Sequence, residues 1–239
     1  MKILALDASG TSASAALAED DILIAEYTIN TKKTHSQILL PLVAGIREMT
    51  GMDLSDIDAI AVAEGPGSFT GLRIGSATAK GLGLVWEKPI VPVPTVNGLA
   101  MNLWGCATHI CPMMDARRSQ VYTGLFHFAQ EELVTDIEQC ALSVEEILAR
   151  INDKGDPVTF LGDGVPVYMK QIREGCKVPF RFAPAHMNRQ KAGSVAVLGM
   201  QLFARGIRQT PEEHSPVYLR ASQAEQEGTK EYNRLETKN

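Results

Sequence analysis

Residues 3–11 read ILALDASGT, an apolar run that ends at Asp7 and continues into a turn of small polar residues. The same order returns at 110–118, ICPMMDARR, where Asp115 ends a second apolar run. After each aspartate the pattern predicts an alternating strand, an acidic turn and a returning strand. The two aspartates lie 108 residues apart, whereas solenoid repeats recur every ~20–50 residues. The repeat therefore predicts an α/β fold that is duplicated into two similar subdomains. Chance similarity is the alternative, because the copies share few identical residues.

Composition narrows the class of protein. The chain has 239 residues, of which 45% are hydrophobic and 21% charged, and it carries a net charge of −5. Autonomous binding to nucleic acid normally draws on an excess of Lys and Arg, so we expect nucleic acid to be bound only locally or through a partner. The four cysteines form no CxxC pair, which predicts reduced thiols and a cytoplasmic protein. The first apolar run is too short for a signal peptide, and no stretch approaches the ~20 apolar residues of a membrane span.

The repeat divides the chain into an N-terminal subdomain, 1–105, and a C-terminal subdomain, 106–224. Residues 225–239 are charged and polar with little to bury, which predicts a flexible tail. The pattern of the first subdomain predicts two consecutive long helices, at 34–50 and 68–86.

The second of these helices follows the segment GPGSFTGLRIG at 65–75. A glycine-rich loop at a helix N-terminus can bind phosphate, but this segment has neither the GK[ST] nor the GxGxxG spacing. Instead, a small residue occurs at every fourth position. Residues four apart lie along one ridge of a helix, so this ridge has almost no side chains. These residues are Gly67, Gly71, Gly75, Ala79 and Gly83. The ridge predicts close packing with a neighbour. That neighbour is either another part of this chain or a partner protein, and phosphate binding is the third interpretation.

The first long helix is apolar on two faces, with ILLPLV at 38–43. A surface helix normally has one apolar stripe, so a second apolar face indicates either a protein interface or deep burial in the core. Two adjacent helices of this kind suit a helical dimer interface.

Catalytic motifs give little support for an enzyme. Asp7, with Ser9 and Thr11, could form a nucleotide site, degenerate or active, while the alternative is an aspartate that only closes its own turn. The five histidines form no HxxxH or HExxH pair, so we expect no metal site of that kind, and no GxSxG segment is present. Two arguments for a hydrolase therefore fail.

Several segments together resemble the TsaB (YeaZ) family. The resemblance rests on ILALDASG at 3–10, HSQILLPLV at 35–43, GPGSFTGLRIG at 65–75, MMDARRSQVY at 113–122 and PVYLRASQAE at 216–225. It spans nearly the whole chain in the right order. It implies a duplicated actin-like ATPase (RNase H-like) fold, in agreement with the repeat.

The resemblance also implies a role. TsaB-like proteins partner a catalytic paralogue, TsaD, and the ATPase TsaE in adding a threonylcarbamoyl group to the N6 of the adenosine beside the anticodon of tRNAs that read codons starting with A. The paralogue carries an HxxxH metal motif where this chain has Thr95 and Leu99, and its second phosphate loop is replaced by DARR at 115–118. The chain is therefore expected to be a non-catalytic scaffolding and activating subunit, an inactive peptidase-like homologue. No cofactor of its own is expected, and ATP or ADP only at the assembled complex.

The same resemblance places the surface for a homodimer in isolation, and for the heterodimer with the paralogue, on the first two helices. The expected interface residues are His35, Leu39, Leu42, Val43, Ile46, Gly67, Thr70, Gly71, Ile74, Gly75 and Ala79. We expect tRNA to be reached only through the complex and no membrane to be involved. Two rival hypotheses remain open. One is an actin-like ATPase or small-molecule kinase with Asp7 at the Mg-nucleotide site, and the other is direct tRNA binding through basic residues such as Lys33 and Arg118.

Overall fold

The first five strands of the chain form one mixed sheet. The structure is a computed structural model, which describes residues 1–31 and 33–219. The strands are β1 (Lys2–Asp7), β2 (Ala13–Glu19), β3 (Ile22–Ile29), β4 (Ala59–Gly65) and β5 (Ile90–Pro94), in the order β3-β2-β1-β4-β5. Strand β1 pairs antiparallel with β2 and parallel with β4. The apolar run that ends at Asp7 is thus the central strand.

The second half builds an equivalent sheet. Its strands are β6 (His109–Asp115), β7 (Gln120–Ala129), β8 (Glu132–Ser143), β9 (Val158–Leu161) and β10 (Phe180–Phe182), in the order β10-β9-β6-β7-β8. Strand β6 pairs antiparallel with β7 and parallel with β9, as β1 does with β2 and β4. The matching order and strand directions confirm the duplicated α/β architecture.

Helices cover both faces of each sheet. They are α1 (His35–Thr50), α2 (Phe69–Trp86), α3 (Thr95–Ala100), α4 (Val144–Lys154), α5 (Gly164–Gly175) and α6 (Ala192–Ala204). Helices α1 and α2 pack on one face of the first sheet and α6 on the other. Helices α4 and α5 pack on one face of the second sheet, and α3 lies against the opposite face. The predicted helices at 34–50 and 68–86 are confirmed to within one residue.

Local sequence sets the helix ends. Helix α1 ends at Gly51, whose left-handed φ of 67° is open to glycine at no steric cost. Helix α2 begins at Ser68, whose Oγ accepts a hydrogen bond from the backbone N–H of Gly71. Helix α4 begins with a capping box between Ser143 and Glu146.

The ridge of small residues packs against other parts of the same chain, mainly the turn after β1 and strand β4, so the prediction that it faces a partner is wrong. A Cβ on Gly71 would collide with the carbonyl oxygen of Ala8, and one on Gly67 with that of Ser9. A Cβ on Gly75 would lie 3.7 Å from a side chain of β4. The small residues let the helix approach the end of β1 closely, which is the interpretation that placed the neighbour inside the chain.

Most of the apolar residues predicted to form the interface are also inside this core. Leu39, Val43 and Ile46 of α1, and Ala79 of α2, are at most 3% exposed. They pack with the side chains of β1 and β4 in one cluster, and Leu42 is half-buried at its border. A side chain that is covered by its own sheet cannot contact a partner, so these four residues are removed from the interface.

Helix α6 does not follow the predicted division at residue 106. It lies in sequence after the second sheet, yet its residues Val195 and Leu198 pack with Ile3 and Val91 of the first sheet. The first sheet is therefore completed by a helix from the far end of the chain. The predicted tail, 225–239, lies outside the described residues. Among the helices of residues 1–31 and 33–219, none is both long enough and apolar enough to cross a membrane.

Candidate functional site

Helices α1 and α2 carry several of the exposed apolar side chains of this half of the molecule, and others lie at Ile22, Leu23 and Trp104. Leu40 of α1 is 53% exposed, and on α2 Leu84 is 53% and Val85 78% exposed. Gly81 and Ala77, one and two turns before them, are also exposed, and the space where a Cβ of Gly81 would lie is open. Spacings of three and four residues place these positions along one side of the helix. Along α2, exposed small residues at 77 and 81 are thus followed by exposed large apolar ones at 84 and 85.

Three other predicted interface residues lie on the same two helices and are exposed or half-buried. Thr70 is exposed on the first turn of α2, and Ile74 is half-buried beside it. His35 is half-buried at the start of α1, where its Nε2 donates to the carbonyl oxygen of Gly10 at 2.9 Å. These residues stay in the predicted interface, and His35 also ties α1 to the turn after β1.

Asp7 closes the turn after β1. The side chain is 2% exposed, and its Oδ1 accepts hydrogen bonds from the backbone N–H of Ser9 at 2.8 Å and from the Ser9 hydroxyl at 2.6 Å. Burial raises the pKa of Asp7 to about 6, although the Ser9 hydrogen bonds oppose that shift. Asp115 repeats the arrangement, since its Oδ1 accepts from the backbone N–H of Arg117 at 2.8 Å. Closing the turn therefore accounts for these hydrogen bonds of Asp7 and Asp115.

The space above this turn is filled by the chain itself. The side chain of Gln190 occupies the position where a Cβ of Gly10 would be, and Gln190 is 1% exposed. Thr11, the third residue predicted for a nucleotide site, is exposed rather than turned toward Asp7 and Ser9. The structure thus brings Asp7 and Ser9 together, and the two residues form hydrogen bonds with each other.

The two positions that stand where the paralogue has metal-binding histidines are structural. Thr95 is fully buried, and its hydroxyl oxygen accepts a hydrogen bond from the backbone N–H of Gly65 at 3.0 Å. Leu99 is 1% exposed and belongs to the core between α3 and the second sheet. The hydroxyl of Thr95 is engaged and Leu99 is apolar, so these two side chains do not form a metal site.

A group that sequence spacing did not reveal lies on the second sheet. His109, His127 and Asp136 come from three neighbouring strands, and their candidate ligand atoms lie within 4.8 Å of one another. The separations of 18 and 9 residues match no metal motif. Only the pairing of β6 with β7 and of β7 with β8 brings them together.

Comparison with known proteins identifies the family. The family model described as "TsaD: tRNA N6-adenosine threonylcarbamoyltransferase" matches residues 23–227. The tRNA threonylcarbamoyladenosine biosynthesis protein TsaB of Bacillus subtilis is 33% identical, over 94% of this chain and 96% of its own length. The chain belongs to the TsaB family.

Solved structures agree with this membership. The structure of YeaZ from Pseudomonas aeruginosa superposes on the TsaB-family chain with a TM-score of 0.77 at 27% identity, covering 91% of this chain and 99% of that one. A polyphosphate/ATP-glucomannokinase from Arthrobacter gives a TM-score of 0.52 at 8% identity, covering 84% and 98%. The second likeness shows the fold alone. The TsaB-family chain thus has a duplicated α/β fold of the kind seen in YeaZ and in this glucomannokinase.

Proposed function

We propose that the chain is a non-catalytic subunit in the biosynthesis of threonylcarbamoyladenosine in tRNA, and that it activates a TsaD-type paralogue by binding it. Its TsaB relatives are named for this biosynthesis. The observation that carries the proposal is the exposed apolar face on α1 and α2, whose side chains Leu40, Leu84 and Val85 are more than half in water. Such a face costs solvation free energy until a partner covers it.

The shape of this face suits helices. Ala77 and Gly81 leave the middle of α2 low, so the backbone of an approaching helix can come close, while Leu40 and Val85 supply apolar area at the margins. Each Leu or Val that becomes fully buried contributes about 1.5–3 kcal/mol. Because a TsaD-type paralogue has the same fold, its own first two helices are the natural counterpart, and two copies of this chain could pair in the same way. We therefore infer a homodimer in isolation that the paralogue replaces.

The lack of catalytic activity is inferred from the residues that stand where the paralogue has its metal-binding and phosphate-binding groups. Thr95 and Leu99 replace the metal-binding histidines of the paralogue, and Asp115 closes its turn instead of leading into a glycine-rich phosphate loop. The negative net charge of −5 agrees with tRNA being bound through the complex. A TsaE-like ATPase, and ATP or ADP at the assembled complex, complete the proposal.

A charge on the exposed face tests the docking surface. Val85→Asp places a carboxylate where the partner would desolvate it, so we expect affinity for the TsaD-type paralogue to fall about ten-fold or more. The control is Val167→Asp on α5, because Val167 is 59% exposed and belongs to the other half of the molecule. Calorimetry with the purified paralogue measures both. Equal affinity for the two variants would overturn the docking surface.

A reconstituted modification assay tests the role itself. With paralogue, ATPase, tRNA and substrates present, modification should stop when this protein is omitted and return when it is added back. The Val85→Asp variant should restore it poorly, and the Val167→Asp variant fully. Modification that proceeds without the protein would contradict the activating role.

A further inference from the structure

Two histidines and an aspartate lie close together on strands β6, β7 and β8 of the second sheet. The Nδ1 of His127 lies 2.7 Å from Oδ2 of Asp136, and the Nε2 of His109 lies 3.4 Å from the same oxygen. His109 is the first residue of β6, while His127 and Asp136 lie across the β7–β8 hairpin. Their side chains are between 15% and 34% exposed, so the group is held by the fold and still reachable from water.

We propose that His109, His127 and Asp136 form a binding site for a divalent transition-metal ion of the zinc class. Each residue offers one ligand atom, Nε2, Nδ1 and Oδ2 respectively, and the three atoms lie within 4.8 Å of one another. Ligands at 2.0–2.1 Å from a tetrahedral Zn²⁺ are about 3.3 Å apart. The observed separations of 2.7 and 3.4 Å bracket that value. An ion would replace the hydrogen bond between His127 and Asp136 and would require these two atoms to separate by about 0.6 Å.

The donor set selects the kind of ion. Imidazole nitrogen binds Zn²⁺, Cu²⁺ and Ni²⁺ well, whereas Mg²⁺ and Ca²⁺ prefer sites made of oxygen alone. Two imidazoles and one carboxylate leave a fourth position of a tetrahedral ion for water. The site shares no residue with positions 95 and 99, because its three side chains come from β6, β7 and β8 and those two positions lie on α3.

The surroundings contain one group that favours the ion and one that opposes it. The second nitrogen of His109 lies 3.8 Å from the carboxylate of Asp156, whose negative charge favours a cation at the site although the distance is too long for a hydrogen bond. Lys154 donates to Oδ1 of Asp136 at 2.8 Å, which leaves Oδ2 for the ion but places a positive charge beside it. Lys154 therefore weakens binding without being a ligand.

The alternative is a purely structural network of hydrogen bonds. It accounts for the contacts of Asp136 with His127 and Lys154, since each is a normal hydrogen bond. It does not require His109 to present a nitrogen to the same oxygen. The two interpretations differ in what removing Lys154 does, because a network loses a partner whereas a metal site loses a repelling charge.

Titration of the full-length protein with Zn²⁺ tests the site, with calorimetry for affinity and Co²⁺ absorption for ligand geometry. We expect one ion per chain, a rise in Tm with Zn²⁺, and visible Co²⁺ bands typical of nitrogen and oxygen ligands at low coordination number. His109→Gln and His127→Gln should each weaken binding about ten-fold or more. The control is His186→Gln, since His186 is an exposed histidine outside the group, and it should bind as the wild type does.

Lys154→Gln should change the Zn²⁺ affinity in the opposite direction to the histidine variants. It leaves all three proposed ligands in place, so the test does not require a ligand variant to fold. We expect it to bind Zn²⁺ several-fold more tightly than the wild type. The proposal is overturned if no stoichiometric binding occurs, if His186→Gln weakens binding as much as the two ligand variants do, or if Lys154→Gln weakens it. None of these results bears on the docking surface of α1 and α2, so the two proposals fail separately.

Discussion

At the scale of single residues, Asp7 makes stability depend on pH in a defined direction. Burial raises its pKa from 3.8 to about 6 in the folded protein. Between these values the folded protein holds a proton that the unfolded chain has released, so the stabilising contribution of Asp7 is complete below pH 3.8 and is lost as pH rises through about 6. Asp7→Asn cannot ionise. Relative to the wild type it should therefore gain roughly 2–3 kcal/mol between about pH 4 and pH 7.

Urea unfolding of both proteins at the two pH values measures this difference. Because the comparison is between pH values, the constant cost of replacing a carboxylate oxygen by an amide cancels. A difference that does not change with pH would mean that Asp7 has an ordinary pKa, and would reopen the nucleotide-site hypothesis. Mg-ATP calorimetry on the wild type would then be the next measurement.

Cys106 is the second residue whose environment makes a chemical prediction. Although burial raises its pKa, hydrogen bonds from Thr108, Arg181 and Thr159 outweigh that effect and lower it to about 7. Burial raises the pKa of Cys111 to about 12. Because the thiolate is the nucleophile, iodoacetamide at neutral pH should label Cys106 and leave Cys111 unmodified. Arg181→Met should slow the labelling of Cys106 several-fold, as read by peptide mass spectrometry, and labelling in the reverse order would contradict the assigned environments.

At the scale of an element, two glycines of α2 should respond oppositely to the same substitution. A Cβ on Gly71 would collide with the carbonyl oxygen of Ala8, whereas one on Gly81 would meet open space. Gly81→Ala should therefore stabilise the protein by up to about 1 kcal/mol, and Gly71→Ala should destabilise it by about 1–3 kcal/mol. Thermal unfolding compares them directly. Equal effects would contradict the packing of this helix on the turn after β1.

The same helix shows what sequence can and cannot predict. The four-residue period of glycine was visible, and so was the need for a close neighbour, because both follow from helix geometry. The identity of the neighbour was not visible, since a sheet of the same chain and a helix of another protein demand the same small residues. The exposed positions, such as Ala77 and Gly81, are small as well, and nothing in a single sequence separates the two sides.

The His109 group marks a second limit, which arises from strand pairing. Its members are near each other only after β7 and β8 pair with irregular register, and that register shifts near Gly124. Alternation predicted the strands but not how many residues a bulge adds. By contrast, Asp7 and Asp115 form hydrogen bonds with residues only two positions away. The sequence therefore allowed a turn-closing aspartate and a nucleotide site to be named as the alternatives, and the structure shows the turn-closing hydrogen bonds.

At the scale of the whole molecule, α6 joins the two halves. It packs on the first sheet through Leu198. Its Ser194 hydroxyl also donates a hydrogen bond at 2.7 Å to the side chain of Asn102. Asn102 lies in the turn after α3, and α3 covers the second sheet. The chain therefore crosses between the halves twice, before β6 and again before α6. Such shared packing predicts that the halves unfold together instead of one after the other.

Leu198→Ala tests this coupling. Removing a buried leucine side chain should cost about 2–4 kcal/mol, and the control Val197→Ala, at a position on the same helix that is 46% exposed, should cost less than ~0.5 kcal/mol. If the halves unfold together, hydrogen exchange in Leu198→Ala should accelerate by the same factor in β4 and in β9, although β9 has no contact with Leu198 within the core clusters. Acceleration confined to β4 would instead show that the second sheet keeps its structure when the first has opened, and that α6 holds only the half on which it packs.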